Sequence, residues 1–398
     1  MIIRMLQPHL RRLAGSYPVV TLTGPRQSGK TTLARMAFPD HAYVSLESPA
    51  ERAFALEDPL GFLQQFQGAA ILDEVQRVPD LLSFLQVDVD EDPTPGQFIL
   101  TGSKNFALMD SVSQSLAGRT ALLELLPFSL PEVREFPGAP DEIDTILWSG
   151  GYPRIFEQEL NPSEWLASYT GTYLERDVRG LLNVGDLEAF QTFLRLCAGR
   201  VGQLLNLSGL ASDTGISQPT ARRWLSVLEA SFIVFRVSPF HANFGKRLIK
   251  TPKLYFYDSG LVVNLLGIEH PDQLSSHPLR GAIFENWVAS EIVKEHSHRG
   301  KRRRLYFYQE RGRLEIDFIL ERGSELVAVE VKAGRTPSSS YFRAFPTFEK
   351  RISERGDDQW HLSRRIVVYG GTESQTRSAG ELVAWTDLPG LGLAKEKR

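Results

Sequence analysis

The chemistry in this chain begins with nine consecutive residues, Gly24, Pro25, Arg26, Gln27, Ser28, Gly29, Lys30, Thr31 and Thr32. A glycine, four residues, then Gly-Lys-Thr is the spacing of a loop that wraps phosphate oxygens in backbone N–H groups. Lys30 is then placed to reach the β and γ phosphates, and the Thr31 hydroxyl to hold Mg²⁺. A second constellation lies about 40 residues on, the acid pair Asp73-Glu74 in "GAAILDEVQRVPD". Asp73 can coordinate the magnesium directly or through water. Glu74 can orient and polarise the attacking water, the positioning role that phosphoryl transfer needs. Acids after a strand are commonly just a solvated turn, but a phosphate loop at this distance makes ATP hydrolysis the better reading.

Three further groups could do chemistry. Thr101, Ser103, Lys104 and Asn105 lie at the polar end of the strand-like run "GQFILTGSKN", and Ser103 is the expected sensor of the γ-phosphate. In the C-terminal third, "LEIDFILERGSELVAVEVKAG" carries Asp317, Glu330 and Lys332, with Glu285 upstream in "GAIFENWVASEIVKEH". A hairpin folded about Arg322-Gly323 sets Asp317 opposite Ala328 and Glu330 opposite Glu315. Asp317, Glu330 and Lys332 then share one sheet face. Two carboxylates there could chelate a second Mg²⁺ or Mn²⁺, with Lys332 beside a scissile phosphate. A surface ion pair between Glu330 and Lys332 is the plainer alternative. The third group is cationic: Arg222 and Arg223 in "ISQPTARRWL", and Arg302, Arg303 and Arg304 in "HRGKRRR", both suited to DNA phosphates.

These groups need elements to hold them. Val19 to Leu22 and Ala69 to Leu72 read as buried strands of a parallel sheet, each delivering its functional residues at its carboxyl end. From about Asp141 the pattern turns helical. Around Gly215 a helix, a turn and a second helix from about Gln218 to Ala230 precede an apolar strand, the order of a winged helix-turn-helix. Alternating strands and helices return after "HANFGKRLIKTPKLYFYDSG". Three domains are expected: 1–138, 139–245 and 246–398.

Composition agrees with a globular, cytoplasmic protein. Of 398 residues, 42% are apolar and 23% charged, and the net charge is −3. Nucleic-acid binding would therefore depend on local patches rather than on overall charge. A lone cysteine, Cys197, excludes a disulfide framework or a cysteine-rich zinc site. No apolar run is long enough to span a membrane.

The succession of phosphate loop, acid strand, polar-ended strand and arginine resembles the AAA+ ATPases. More closely it resembles a bacterial and archaeal group of AAA-type ATPases with an additional C-terminal domain. The matching stretches are "GPRQSGKTTLAR", "ILDEVQRVPDLL", "FILTGS", "LAGRTALLELLPFSLPE", "GGYPRIF", "YLERDV", "LYFYDSGLVVNLLG", "GAIFENWVASEIV" and "EIDFIL…VAVEVKAG". The resemblance implies an α/β P-loop core using ATP and Mg²⁺, and a homo-oligomer, of which a hexamer is one form. It also implies that Arg119 acts as a finger on a neighbouring subunit's ATP, in place of a plain surface arginine. The set Glu285, Asp317, Glu330 and Lys332 resembles the PD-(D/E)XK nucleases, implying a restriction-endonuclease-like C-terminal fold that cleaves or merely binds DNA. Two functions are then expected: an ATP-driven motor or switch acting on DNA, or a regulatory switch whose C-terminal domain binds protein.

Overall fold

The computed structural model describes residues 2–66, 68–103, 115–174, 187–240, 251–310, 314–354 and 360–393. Lys104, Asn105 and the 245/246 boundary lie outside the described residues.

The first sheet is wholly parallel, in the order β2-β3-β4-β1-β5. Its strands are β1 (Val19–Gly24), β2 (Ala42–Ser45), β3 (Ala70–Asp73), β4 (Phe98–Ser103) and β5 (Thr120–Glu124). Parallel strands need crossover helices on their faces, so the central strands are buried on both sides. Every residue of β1 is buried. Val20, Leu22, Ile71 and Ile99 pack under the helices Gln7–Ala14 and Lys30–Ala37. Val19, Leu72, Phe98 and Leu100 pack under Pro49–Glu57, Pro59–Gln64 and Leu81–Glu91. Because β4 is inserted between β3 and β1, the carboxyl ends that carry Asp73, Ser103 and Gly24 are neighbours. Ligands of such sheets bind at this edge.

The middle region is helical. Helix Leu207–Thr214 ends at Gly215, which has φ 76° and turns the chain into helix Gln218–Ala230, capped by the Ser217 hydroxyl on Thr220 N–H. The expected wing strand is β6 (Val234–Pro239). It is an integral part of the second sheet, running parallel to β8 and antiparallel to β7.

That second sheet has the order β12-β13-β11-β10-β9-β8-β6-β7. Its other strands are β7 (Lys253–Phe256), β8 (Leu305–Glu310), β9 (Leu314–Arg322), β10 (Glu325–Lys332), β11 (His361–Tyr369), β12 (Gln375–Arg377) and β13 (Gly380–Ala384). β8, β9 and β10 form an antiparallel meander, and β11 continues parallel to β10. Val327, Val329 and Val331 pack with Phe284, Trp287 and Val288 of helix Arg280–His298. Leu326 and Ala328 face Phe345 and Phe348 of helix Ala344–Ser353.

The β9–β10 register differs from expectation by two residues. The ladder runs from Arg322↔Glu325 to Phe318↔Val329, leaving Gly323 and Ser324 as the turn. Gly323, with φ 63°, occupies the left-handed region that a two-residue hairpin turn needs. One step beyond the ladder, Asp317 stands opposite Glu330 rather than Ala328. A two-residue shift preserves the face, so the acids still meet, directly instead of diagonally.

The regions are tied together at the carboxyl edge of the first sheet. Glu291 and Lys294 of helix Arg280–His298 grip the strap that comes after β5: Leu130 N–H donates to Glu291 (2.8 Å) and Lys294 Nζ donates to the Phe128 carbonyl (2.9 Å). The "GGYP" and "YDSG" motifs also meet. Asp258 caps its own helix through Leu261 N–H and accepts Gly151 N–H at 2.7 Å. A side chain at Gly150 would collide with the Asp258 carboxylate.

Candidate active site

The loop after β1 is shaped by three left-handed residues, Gly24, Gln27 and Gly29. Helix Lys30–Ala37 starts directly after it and points its N-terminal end at the loop. Lys30 is buried, and its ammonium donates to the Gly24 carbonyl (3.1 Å) and the Pro25 carbonyl (2.8 Å), so the charge lies inside the curve of the loop. Pro153, of the "GGYP" motif, approaches the loop from the middle region, 4.0 Å from where a Cβ on Gly29 would stand.

Asp73 collects three hydroxyls. Thr31 Oγ1 lies 3.0 and 3.1 Å from its two oxygens, Tyr43 OH donates at 2.9 Å, and Thr101 donates as well. Burial, then the Asp73 charge, pushes the Tyr43 phenol up to about 12. Hard oxygen donors from Thr31 and Asp73, side by side at the loop, suit Mg²⁺, which keeps several waters and takes few protein ligands. Glu74 has φ 56°, a strained setting for a non-glycine residue of the kind that collects at functional sites. Burial raises its pKa, opposed by the nearby charges of Lys30 and Arg26. Gln76 ties Glu74 to Ser103, donating to the Glu74 carboxylate and to Ser103 Oγ (3.0 Å).

Residues 16–134 match the family described as an AAA domain. Residues 140–272 and 280–388 match two families described as domains of unknown function, DUF8612 and DUF4143. The uncharacterized protein Rv2008c of Mycobacterium tuberculosis is 34% identical over 386 residues, covering 94% of this chain and 85% of that protein. Uncharacterized protein Mb2031c of Mycobacterium bovis matches to the same extent. The chain belongs to this family of AAA-type P-loop ATPases. Among solved structures, the Walker-type ATPase PABY2304 of Pyrococcus abyssi aligns over 65% of this chain and 94% of its own, at 16% identity and a TM-score of 0.44.

In this ATPase, Arg119 stands away from the phosphate loop. It precedes β5, whose Thr120 pairs with Val19 at the start of β1, whereas the loop leaves the other end of β1. Six residues of strand separate the two, roughly 17–20 Å. Its guanidinium is held by Asp90 of the same chain, at 2.5 and 2.7 Å. Arg119 therefore cannot reach its own chain's nucleotide.

The C-terminal set does converge, with additional members. Lys332 Nζ is 2.6 Å from Glu330 and 3.7 Å from Asp317. Asp317 also accepts Val331 N–H at 2.7 Å, taking the donor that the ladder leaves beyond Val329. Glu285 accepts Tyr255 OH at 2.6 Å and lies 3.4 Å from Lys253, which pairs with Glu315 at 2.7 Å. Four carboxylates thus face two ammonium groups. Burial, with Asp317 adding like charge, raises Glu285 to about 7 and Glu330 to about 8. The expected second metal at Asp317 and Glu330 has no support in this arrangement. The cations among the acids are lysines, and no group of three or more His, Cys, Asp or Glu among the described residues converges to hold a metal ion.

The basic residues divide by exposure. Arg222 and Arg223 are exposed on helix Gln218–Ala230, and Arg302 and Arg304 are exposed ahead of β8. Arg303 is turned inward, a correction to its expected role as a phosphate contact. It donates to Tyr257 OH (2.5 Å), Ser297 Oγ (3.1 Å) and Glu124 at the end of β5. Among the described residues, no helix is long and apolar enough to cross a membrane.

Sequence reasoning passed over Gln76, Tyr43 and Arg4. Gln76 sits two residues after the acid pair, a spacing that could have drawn attention. Tyr43 and Arg4 gave no local signal, because only the sheet order and the folding back of the N-terminus bring them to the site.

Proposed function

We propose that the chain is a Mg²⁺- and ATP-dependent switch that acts on DNA, with its C-terminal domain binding DNA rather than cutting it. The observation that carries the ATP chemistry is the shared network at the sheet edge, Thr31 on Asp73 and Glu74 through Gln76 to Ser103. Thr31 and Asp73 would hold Mg²⁺, which when bound neutralises charge on the β and γ oxygens. The loop N–H groups, with Pro25, Arg26, Gln27, Ser28 and Thr32 around them, and Lys30 grip the phosphates. Glu74 accepts a proton from the attacking water or orients it. Gln76 holds Glu74 at a fixed distance from Ser103, so a change sensed at Ser103 moves the base.

The DNA reading is supported by Arg222 and Arg223, exposed on the second helix of a helix-turn-helix, together with Arg302 and Arg304. The antiparallel β8-β9-β10 meander continued by parallel β11 supports a restriction-endonuclease-like fold. Binding without cleavage is supported by the ion pairs Lys332–Glu330 and Lys253–Glu315, which engage two of the four carboxylates. Arg119 is proposed to act only across a homo-oligomer interface, after release from Asp90.

ATP turnover of the wild type, Lys30→Ala and Glu74→Gln, with and without single-stranded, duplex and branched DNA, tests this reading. Turnover should require both residues, with nucleotide binding kept in Glu74→Gln, and DNA should stimulate it. Unstimulated turnover would favour a protein partner for the C-terminal domain. DNA cut in Mn²⁺ would overturn the non-cleaving assignment.

A further inference from the structure

Arg4 is a charged residue with only 5% of its surface exposed. It precedes helix Gln7–Ala14 and lies directly beneath the phosphate loop. Its guanidinium uses all three nitrogens. Nη1 donates to the Ser28 carbonyl (2.7 Å), Nη2 to the Leu126 carbonyl (2.7 Å) and Nε to Glu132 (2.9 Å). The group also lies 4.6 Å from the centre of the Phe128 ring. Glu132 is itself locked, accepting Met5 N–H and Ser129 N–H. Arg4 thus fastens one peptide of the phosphate loop to the strap 126–132, which helix Arg280–His298 grips from its other side.

The Ser28–Gly29 peptide is planar and trans, so its C=O and N–H point in opposite directions. Holding the carbonyl on the guanidinium turns the Gly29 N–H away from it. A carbonyl that rotated to the other side would present a negative oxygen to the phosphates. We infer that Arg4 is a positioning residue for ATP, keeping the Gly29 N–H turned toward the phosphates through its bond to the Ser28 carbonyl. Arginine suits this place and lysine does not, because three acceptors in different directions need the planar fork.

The inference rests on the phosphate-loop reading, so wild-type turnover and its loss in Lys30→Ala come first; failure there would sink that reading and not this one in particular. Full-length Arg4→Lys and Arg4→Gln are then compared with wild type for KM and kcat, and for ATP and ADP affinity. Arg4→Lys keeps a cation against Glu132 and is expected to fold. A weakened loop contact is lost equally in ground and transition states, so KM should rise about tenfold or more while kcat stays within about threefold. ATP and ADP affinities should fall by the same factor. A purely structural role would instead lower kcat at constant KM, because only the active fraction shrinks. That result, or a wild-type KM in both variants, or failure of both to fold, overturns the proposal.

Discussion

Glu132 offers the sharpest test of how the regions are held together. Its carboxylate is almost fully buried and accepts four donors: Arg4 Nε, Met5 N–H, Ser129 N–H and Ser129 Oγ. Burial alone would raise its pKa. The Arg4 charge, the charge that His298 carries when protonated 3.7 Å away, and these hydrogen bonds outweigh burial and hold it at about 2, against 4.5 for a free glutamate. A depression of this size corresponds to about 3 kcal/mol, at 1.36 kcal/mol for each tenfold step. The sign is that of a depressed folded pKa. The contribution is fully present above pH 4.5, falls to about 2 kcal/mol near pH 3.5, and is lost as pH drops through about 2. Glu132→Gln removes the charge and turns an amide donor toward Ser129 N–H or Arg4. It also leaves the Arg4 cation buried without its partner, which typically costs about 3–5 kcal/mol. If all 398 residues melt as one unit, about 3 kcal/mol lowers the midpoint by about 4 °C, and by more if a smaller unit melts first. Thermal melts of both proteins at pH 7 and pH 5 measure this; both values lie above the pKa of Glu132 and above the value of about 4 at which the neighbouring His298 titrates, so the gap should be the same at both. A midpoint within about 1 °C of wild type at pH 7, or a gap that differs between pH 7 and pH 5, would refute the reasoning.

The same geometry carries other outcomes. Glu330 and Glu285 have raised pKa values in the folded state, so their contribution is present below about pH 4.5 and lost as pH rises through about 7 and 8; melting temperature should fall between about pH 4.5 and 8, and Glu330→Gln should flatten that fall. A wild-type profile level across this range contradicts the buried like-charge cluster. On duplex DNA, Arg222→Glu and Arg302→Glu should each reduce the log–log salt slope by about 0.9 per lost phosphate contact. Arg303→Ala should leave that slope alone and lower the melting temperature, since its partners are Glu124, Tyr257 and Ser297; a slope change would return it to the DNA face. Arg119→Ala should abolish turnover while sparing ATP affinity if it works in trans, and wild-type specific activity should climb with protein concentration; a rate independent of concentration argues against a shared site.

The ATP chemistry was legible in the chain because it depends on local spacing. A glycine-rich turn before a helix makes an anion site from adjacent backbone, so Gly24 to Thr31 declare themselves without a fold. Asp73-Glu74 were readable for the same reason, as acids ending a buried strand. The helix-turn-helix and the shared face of Asp317, Glu330 and Lys332 came from short-range periodicity, which survived even a two-residue error in register. What remained hidden were contacts between residues far apart in sequence. Inserting β4 between β3 and β1 is what brings Ser103 to Gln76 and Thr101 to Asp73. Only packing of the N-terminus under the loop places Arg4 on Ser28 and Glu132, 24 and 128 residues away. A run of basic residues likewise cannot say which one turns inward: Arg303 does so because Glu124, 179 residues earlier, ends a strand beside it. Such partners are chosen by which elements the hydrophobic core brings together, and that choice belongs to the folded chain.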